Sequence, residues 1–388
     1  MSTTEERLQR TPDGRVWSTG TFAYRFWQPF LSVFDEVAVA ARVLPVERAT
    51  PGMAQVDGDG VSVCALPHYL GPGQFLRQRG AIRRAIEQAV SPRDAVLVRA
   101  PSAVGALLCS VLERRGQAYG VQVIGDPWDA FGSGSVQHPL RPLFQRWFVA
   151  QLRRECRRAA CVAYVADALQ ARYPTRPGAF TATYSNVELG ADAFVAEPRT
   201  DLRRAGDQRL VTVGSLEQLY KGTDTLIEAV SRLRRSGVPV RLVVVGDGKY
   251  RPTLEALAAR LGVADLVEFA GAVPPGAPVR RLLDNADLFV LPSRAEGLPK
   301  AVVEAMARAL PCVASTVGGN PELLPPEDLV APGAAAALAD RLREVLRDED
   351  RLRAMSARNL TRARDYSIER LRPRREAFYR ALRAAAEK

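Results

Sequence analysis

The sequence predicts an α/β protein built from two doubly wound domains that face each other across a cleft. Its 388 residues are more than a single hydrophobic core usually serves, so two domains are expected. From about residue 208, β-rich apolar runs alternate with helical patterns, and the first half of the chain repeats this alternation. The chain is 47% hydrophobic and 25% charged, a balance typical of a folded globular protein.

The C-terminal half has the clearer pattern. Strand-like runs lie at 209–216, 240–248, 266–271, 287–293, 311–316 and 328–333, and helical patterns lie at 223–235, 253–262, 277–286, 299–309 and 334–348. Strands that are nearly continuous in Val, Ile and Leu are typical of parallel sheets buried on both faces. The alternation therefore predicts a parallel sheet with helices on both sides.

The N-terminal half follows the same order less regularly. Strands are predicted at 36–43, 61–66, 94–100, 119–125 and 161–166, with helices at 81–90 and 103–116. The segment 185–208 is mixed in charge and contains a proline, which suits an interdomain connection. We therefore predict domains at 1–190 and 205–365, followed by a C-terminal helix at 366–388 that packs back on the first domain.

Composition excludes several classes of protein. The longest apolar stretch, 95–112, is interrupted by Arg99 and Pro101, so no transmembrane helix is expected. The polar N-terminus lacks the apolar segment of a signal peptide, which predicts a cytoplasmic protein. The five cysteines form no C-x-x-C pair, and the two histidines, His68 and His138, are too few for a multi-histidine site. Disulfides and a metal site are therefore not expected.

The net charge of +11 favours anionic partners, such as phosphates, nucleic acid or anionic lipid. No nucleic-acid recognition motif accompanies the charge, so nucleic acid is not an expected partner.

The segment 292–324 carries the most chemistry. A predicted strand ends at Leu291, the following loop contains Glu296 and Gly297, and Pro299 stands where the first helical residue is expected. The free amides of that helix start suit an anionic phosphate. Glu304 lies about one turn further on, and carboxylates bind sugar or ribose hydroxyls well. The alternative is that both glutamates are ordinary solvated charges.

Together with the Glu-Ala-Met-Ala run, the following strand and the turn at Gly318 and Gly319, these residues resemble the retaining glycosyltransferases of family 4 (group 1). That family has the GT-B fold of two Rossmann-like domains, and its signature is two glutamates separated by seven residues. The resemblance covers roughly 208–366 with several motifs and the N-terminal half more weakly. It implies an acceptor-side N-terminal domain and a C-terminal domain that binds the nucleotide sugar.

The resemblance also implies roles for the residues of this segment. Glu296 would contact the donor sugar, and Glu304 would hold the nucleotide ribose. The donor-binding set at the helix start comprises Gly297, Leu298, Pro299 and Lys300.

A second motif, VGSLEQLYKG at 213–222, follows a predicted strand. Lys221 could neutralise charge on a departing diphosphate, although a Lys-Gly pair before a helix is also common. Many family members carry an arginine where this chain has Ser215, after Gly214. One phosphate-binding cation is therefore missing or supplied from elsewhere.

The remaining candidates rest on weaker patterns. Gly246, Asp247 and Gly248 close a buried strand, and the family likeness implies that they line the nucleotide pocket. Asp126 follows another strand, where it binds a sugar hydroxyl in place of the family's histidine or is a plain turn aspartate. Gly14 lies in a loop like the one that approaches the donor, but no apolar strand precedes it. Either the first strand is lost or the given start is too late.

The stretch 140–156 has an apolar stripe with arginines roughly opposite. The stripe comprises Leu140, Phe144, Phe148, Leu152 and Cys156, and the arginines are Arg146, Arg153 and Arg157. Such a helix could lie on an anionic membrane at its inner face. The alternative is a core helix with a solvated basic back.

The sequence thus predicts a retaining transferase that moves a sugar from a nucleoside-diphosphate sugar to a hydroxyl acceptor, which could be lipid-linked. No cofactor or metal is expected. The resemblance places such a reaction in the synthesis of cell-surface polysaccharide, glycolipid or secondary-metabolite glycoside. The alternatives are a nucleotide-sugar binding protein with little or no transfer, and a related GT-B epimerase.

Overall fold

The computed structural model describes residues 1–20, 22–130, 141–187, 189–200 and 206–388. In this part of the chain two sheets form, one in each predicted domain. The predicted fold class is confirmed: both sheets are mainly parallel and each is packed between helices.

The N-terminal sheet contains nine described strands, and most of them are parallel. They are β1 Ser2–Arg10, β2 Val16–Ser18, β3 Val37–Pro45, β4 Ala54–Gln55, β5 Val61–Leu66, β6 Val96–Ala100, β7 Tyr119–Val123, β8 Cys161–Tyr164 and β9 Phe180–Thr183. The parallel strands lie in the order β5, β3, β1, β6, β7, β8, β9, and the short antiparallel ribbon of β2 and β4 flanks the end of β1.

The C-terminal sheet is parallel throughout, in the order β12, β11, β10, β13, β14, β15. Its strands are β10 Gln208–Val213, β11 Val240–Val245, β12 Val267–Gly271, β13 Leu288–Leu291, β14 Cys312–Ser315 and β15 Leu329–Val330. The chain order reverses between β10 and β13, which is the point where open α/β sheets bind ligands.

Helices cover both sheets. Those of the first domain are α1 Tyr24–Trp27, α2 Gly71–Ala89, α3 Ala103–Arg115, α4 Pro127–Ala130, α5 Arg141–Arg158 and α6 Asp167–Arg172. Those that follow are α7 Thr223–Arg235, α8 Arg251–Arg260, α9 Ala277–Asp284, α10 Lys300–Ala307, α11 Asn320–Leu323, α12 Ala335–Arg347, α13 Glu349–Ala363 and α14 Ile368–Ala386. None of the described helices is long and apolar enough to cross a bilayer.

The expectation that no strand precedes the Gly14 loop is wrong. β1 pairs in parallel with β3 and, at Ser2, with β6. β1 does not form an apolar run in the sequence because several of its residues are polar, yet these residues are buried. Thr3 is 0% exposed, and its hydroxyl accepts a hydrogen bond from the Arg99 amide at 3.1 Å. Hydroxyl side chains that find such partners can occupy a buried strand.

The connections between the domains lie side by side. The Ile368 amide donates to the Leu189 carbonyl at 3.0 Å, which joins the interdomain segment to the start of α14. α14 then packs against the strands β7 to β9 of the first domain. Its Tyr379 stacks on Phe30, with ring centroids 4.5 Å apart. The last helix therefore belongs to the N-terminal domain in space.

Candidate functional site

The site lies where the carboxyl ends of the two sheets meet. Gly297, in the loop after β13, lies so close to the end of β7 that a Cβ on it would be 2.3 Å from the Ile124 carbonyl oxygen. Leu298 packs against the core of the N-terminal domain. Ligands of open α/β sheets bind at this edge, so the residues around Gly297 line the interdomain cleft.

Lys221 and Glu296 form an ion pair at the centre of this edge. The Lys221 ammonium lies 2.9 and 3.1 Å from the two carboxylate oxygens of Glu296. The Ser293 hydroxyl donates to Glu296 Oε1 at 2.6 Å, so the carboxylate is held from both sides. Only 17% of the Lys221 side chain and 6% of the Glu296 side chain are exposed. The structure thus brings together two residues that are 75 positions apart.

The charge of Lys221 is stabilised by this pairing. Burial is the largest single influence and acts to lower the pKa of the ammonium, but the Glu296 carboxylate and the Tyr220 hydroxyl together outweigh burial, so the pKa is raised above its usual value. Lys221 is therefore a fixed positive charge at neutral pH. A buried, preorganised charge of this kind interacts strongly with a developing negative charge.

Arg294 holds the loop that carries Lys221. Its guanidinium makes a two-point contact with the Asp224 carboxylate, 2.8 Å for each bond, and donates to the Leu219 carbonyl at 2.7 Å. The Arg294 amide also donates to the Tyr220 carbonyl at 2.6 Å. Sequence reasoning missed Arg294 and Ser293, because neither forms part of a motif that predicts these contacts.

The helix start beside Glu296 differs by one residue from the prediction. Pro299 is the N-cap residue of α10 (φ −74°, ψ 108°) rather than its first helical residue. A proline suits both positions, because its φ is similar in each. The backbone bond from the Val303 amide to the Pro299 carbonyl is 3.3 Å long. The amides of residues 300–302 consequently have no acceptor within the helix, which leaves them available to an anion.

Glu304 lies on α10 and is mostly buried, with 22% of its side chain exposed. Its carboxylate is 3.6 Å from the Lys300 ammonium. Burial raises the pKa of Glu304, and the positive charge of Lys300 opposes that effect. A partly desolvated carboxylate next to a helix start is well suited to bind a hydroxyl pair.

The two glycine-containing loops of the C-terminal domain are joined through their backbones. The Gly214 amide donates to the Val245 carbonyl and the Leu216 amide to the Asp247 carbonyl, both at 2.9 Å. Gly246 has φ +142°, and a Cβ on it would lie 1.9 Å from the Gly214 carbonyl oxygen. Only glycine permits this approach.

The remaining polar groups of these loops are engaged locally. The Ser215 hydroxyl accepts from the Glu217 amide at 3.2 Å, and Asp247 accepts from the Gly248 amide at 2.8 Å. Asp247 also lies 3.4 Å from Arg251. The assignment of these residues to nucleotide binding stays a prediction.

Asp126 faces inward. Its carboxylate accepts hydrogen bonds from the Trp128 amide at 2.8 Å, the Tyr173 hydroxyl at 2.5 Å and the Arg172 guanidinium. Only 3% of the side chain is exposed. This is the pattern of a turn aspartate that joins α4 to α6, the second of the two interpretations above. A role for Asp126 in binding sugar stays a prediction.

Asp129, one turn later, reaches the other domain instead. Its carboxylate accepts from the Gly318 amide at 3.3 Å, and burial together with the charge of Asp126 raises its pKa. A second contact across the cleft comes from Glu322, whose carboxylate accepts from the Asp167 and Ala168 amides at 3.0 and 2.7 Å. These contacts hold the two sheet edges together.

Gly14 lies at the exposed turn between β1 and β2, with φ +87° and no heavy atom within 4 Å of the position of a Cβ. It follows the first strand, whereas the other candidate residues of the N-terminal domain and the contacts with the C-terminal domain lie at other strands of the sheet edge. Its contact with a donor stays a prediction.

The apolar stripe of α5 is core at its C-terminal end, and its members Phe144 and Phe148 are half-buried. Leu152 and Cys156 are 1% and 0% exposed, so they pack inside the N-terminal domain. Leu140, the first member of the predicted stripe, lies outside the described residues. The basic back of the helix instead carries two exposed apolar side chains, Leu143 and Trp147, which are 61% and 53% exposed.

Comparison with known proteins shows how the chain is related to others. Residues 207–348 match the family described as glycosyl transferases group 1. Protein CapJ of Staphylococcus aureus is 25% identical over 357 residues, which cover 92% of this chain and 88% of that protein.

A second relative is the GDP-mannose-dependent alpha-(1-6)-phosphatidylinositol monomannoside mannosyltransferase of Mycobacterium tuberculosis. It is 35% identical over 213 residues, which cover 50% of this chain and 55% of that protein. The chain thus aligns with about half the length of this relative.

Among solved structures, sucrose-phosphate synthase from Thermosynechococcus elongatus superposes with a TM-score of 0.72 at 17% identity, covering 99% of this chain and 98% of that one. A structural similarity at this low sequence identity shows the fold alone. The family match, the relatives and the paired parallel sheets agree with one another: residues 207–348 belong to the glycosyl transferases group 1, the chain has the GT-B fold, and the protein is a transferase of the kind that uses nucleotide-sugar donors.

Proposed function

We propose that the protein transfers a glycosyl group from a nucleoside-diphosphate sugar to an acceptor hydroxyl and retains the anomeric configuration, as members of family 4 do. The observation that carries the proposal is the buried Lys221–Glu296 pair beside the start of α10. In this arrangement the diphosphate binds between the Lys221 ammonium and the free amides of α10. Glu296 then faces the sugar, and Glu304 faces the ribose.

The proposed reaction breaks the bond between the anomeric carbon and the diphosphate oxygen, and it forms a bond from the acceptor oxygen to the same face of that carbon. The acceptor proton passes to the departing phosphate, so no separate protein base is needed. Lys221 and the helix amides balance the charge that develops on the phosphate. Because these groups supply positive charge, the proposal needs no metal ion.

Donor cleavage and acceptor transfer should be measured separately, with a panel of UDP- and GDP-sugars. We expect slow hydrolysis of one donor with water, and faster transfer when a suitable acceptor hydroxyl is present. Proton NMR of the product should show the anomeric configuration of the donor. Binding without cleavage would favour the alternative of a nucleotide-sugar binding protein, and inversion at the sugar ring without transfer would favour the epimerase.

Glu304→Ala should weaken binding of the donor nucleotide. Removing the carboxylate leaves a ribose hydroxyl pair poorly satisfied in a mostly buried site, a loss on the order of 1 to 3 kcal/mol. Calorimetric titration with the nucleoside diphosphate measures this loss. Glu228→Ala, at an exposed position of α7, serves as the control, and an unchanged dissociation constant for Glu304→Ala would remove Glu304 from the ribose site.

The acceptor side of the proposal includes contact with anionic lipid through the exposed face of α5, at the inner surface of a membrane. Arg146, Arg153 and Arg157 are exposed there, next to Leu143 and Trp147. Arginines combined with exposed apolar side chains are typical of interfacial helices. The M. tuberculosis relative is named as a phosphatidylinositol monomannoside mannosyltransferase, which supports a lipid-linked acceptor for this chain as well.

Replacing Arg146, Arg153 and Arg157 together with glutamine should reduce sedimentation with vesicles that contain phosphatidylglycerol, because each basic residue near the surface contributes about 1 kcal/mol. Hydrolysis of a soluble donor should not change. If the variant and the parent sediment equally, this face is merely solvated.

A further inference from the structure

A second cavity opens on the N-terminal domain, away from Lys221 and Glu296. Its volume is about 390 Å³. It lies at the carboxyl ends of β1, β3 and β5 and is closed on one side by the loop after β3. The lining side chains that the argument uses are Arg7, Gln9, Thr19, Thr50 and His68. The cavity thus opens at the sheet edge that also faces the C-terminal domain.

Hydrogen bonds connect the two sides of the polar wall of the cavity. Gln9 donates from its side-chain amide to the Thr50 hydroxyl at 2.9 Å, and its side-chain oxygen accepts from the Thr50 backbone amide at 2.9 Å. These reciprocal bonds fasten the loop after β3 to the end of β1. A site held in this way does not have to order itself when a ligand binds.

The charge of the cavity is positive. Its nine described lining residues include Arg7 and His68 but no carboxylate. Arg7 is exposed, and among the described residues no acidic side chain forms an ion pair with it. By contrast, Arg42 next to the cavity pairs with Glu5 at 3.3 Å. The Arg7 guanidinium is therefore available to form an ion pair with a ligand.

Two titratable groups lie at or next to this cavity. Burial lowers the pKa of His68, and the positive charges of Arg42 and Arg7 lower it further. Glu6 is outside the lining but contacts the lining residue Thr19: its Oε1 accepts from the Thr19 amide at 2.8 Å and from the Thr19 hydroxyl, whereas its buried Oε2 has no hydrogen-bond partner among the described residues.

The cavity is within reach of the transfer site. β1 lies beside β6, and β6 lies beside β7, whose end touches Gly297. With strands about 4.8 Å apart, β1 is about 10 Å from β7, and β5, which precedes His68, is about 19 Å from β7. An acceptor that places one end in the cavity and a hydroxyl near Glu296 therefore has to be longer than a disaccharide, such as an oligosaccharide or a glycolipid.

We propose that this cavity binds an anionic group of the acceptor, a phosphate monoester or a carboxylate, through an ion pair with Arg7 and a hydrogen bond from His68. This inference rests on the proposed function, since it assigns the acceptor end of the same cleft. The acceptor class is thus a sugar or glycolipid that carries negative charge at a distance from its reactive hydroxyl.

NMR of the His68 imidazole tests the proposal at fixed pH. The chain has two histidines, so His68→Asn assigns the resonances and His138 serves as an internal reference. The protein is titrated in turn with glucose 6-phosphate, glucuronate and glucose. We expect at least one of the two anions to shift the His68 resonance in a saturable way and glucose to leave it unchanged; the effective anion identifies a phosphate or a carboxylate acceptor.

Arg7→Gln should weaken binding of the effective anion by about tenfold, because a charge-assisted hydrogen bond is lost. Arg79→Gln, an exposed arginine on α2, should titrate like the parent. The proposal is overturned if neither anion shifts His68, if glucose shifts it equally, or if Arg7→Gln titrates unchanged. Donor hydrolysis by the same samples separates the two claims: intact hydrolysis with no anion effect overturns only the cavity assignment, whereas absent hydrolysis counts against the proposed function.

Discussion

Lys221→Ala should lower the rate of glycosyl transfer by about a hundredfold or more, the scale typical of losing one preorganised electrostatic contact. The ammonium is buried and its charge is stabilised by Glu296. Its interaction with the diphosphate strengthens as the glycosidic bond breaks, so the substitution should affect turnover more than ground-state binding. The family resemblance implies an arginine in many members where this chain has Ser215, so we expect the dependence on Lys221 to be steeper here. Single-turnover transfer with saturating donor measures the effect.

Two variants support the interpretation of this result. Lys221→Arg should restore only part of the rate, because the planar guanidinium replaces a point charge poorly in a tight loop. Lys249→Ala removes an exposed lysine of the neighbouring loop and should transfer at the parental rate. If Lys221→Ala stays within about threefold of the parent, far short of the loss expected for an electrostatic contact, the diphosphate binds elsewhere.

Gly297→Ala should also lower transfer by about a hundredfold, because misplacement of reacting groups by about 1 Å costs this much. A Cβ at this position would lie 2.3 Å from the Ile124 carbonyl oxygen, and a backbone atom cannot move aside alone. The two domains would have to separate, which would displace Glu296 from the N-terminal wall of the cleft. Each domain keeps its own core, so the variant should still fold.

The control is Gly80→Ala, which makes the same chemical change in α2, where no heavy atom lies within 4 Å of the added Cβ. We expect normal transfer from it. Small-angle X-ray scattering of Gly297→Ala should show a larger radius of gyration than the parent. Parental activity and dimensions in Gly297→Ala would show that the contact between the sheet edges has no role in catalysis.

The C-terminal domain was largely predictable from the sequence. Its central strands are buried on both faces, so they appear as continuous apolar runs, as β13 does. The cluster around Glu296 was predictable because a strand end, a loop carboxylate and a helix start follow one another within a few residues. Local order along the chain therefore contains most of the information about this part of the site.

Features that depend on partners distant in sequence were not predictable. β1 is buried with hydroxyl side chains, because Thr3 finds a backbone donor on β6. The inward orientation of Asp126 depends on Arg172 and Tyr173, about 47 positions away. The Glu322 carboxylate accepts its hydrogen bonds from backbone amides of α6, a helix of the other domain. None of these contacts leaves a periodic pattern in the sequence.

The central claim is that a nucleoside diphosphate binds between the Lys221 loop and the start of α10. The most direct test is a crystal structure of the protein with UDP or GDP. We predict the terminal phosphate within hydrogen-bonding distance of the Lys221 ammonium and of the free amides at residues 300–302, and the ribose hydroxyls against the Glu304 carboxylate. A nucleotide bound outside this cleft, or with its diphosphate away from both Lys221 and α10, would contradict the account.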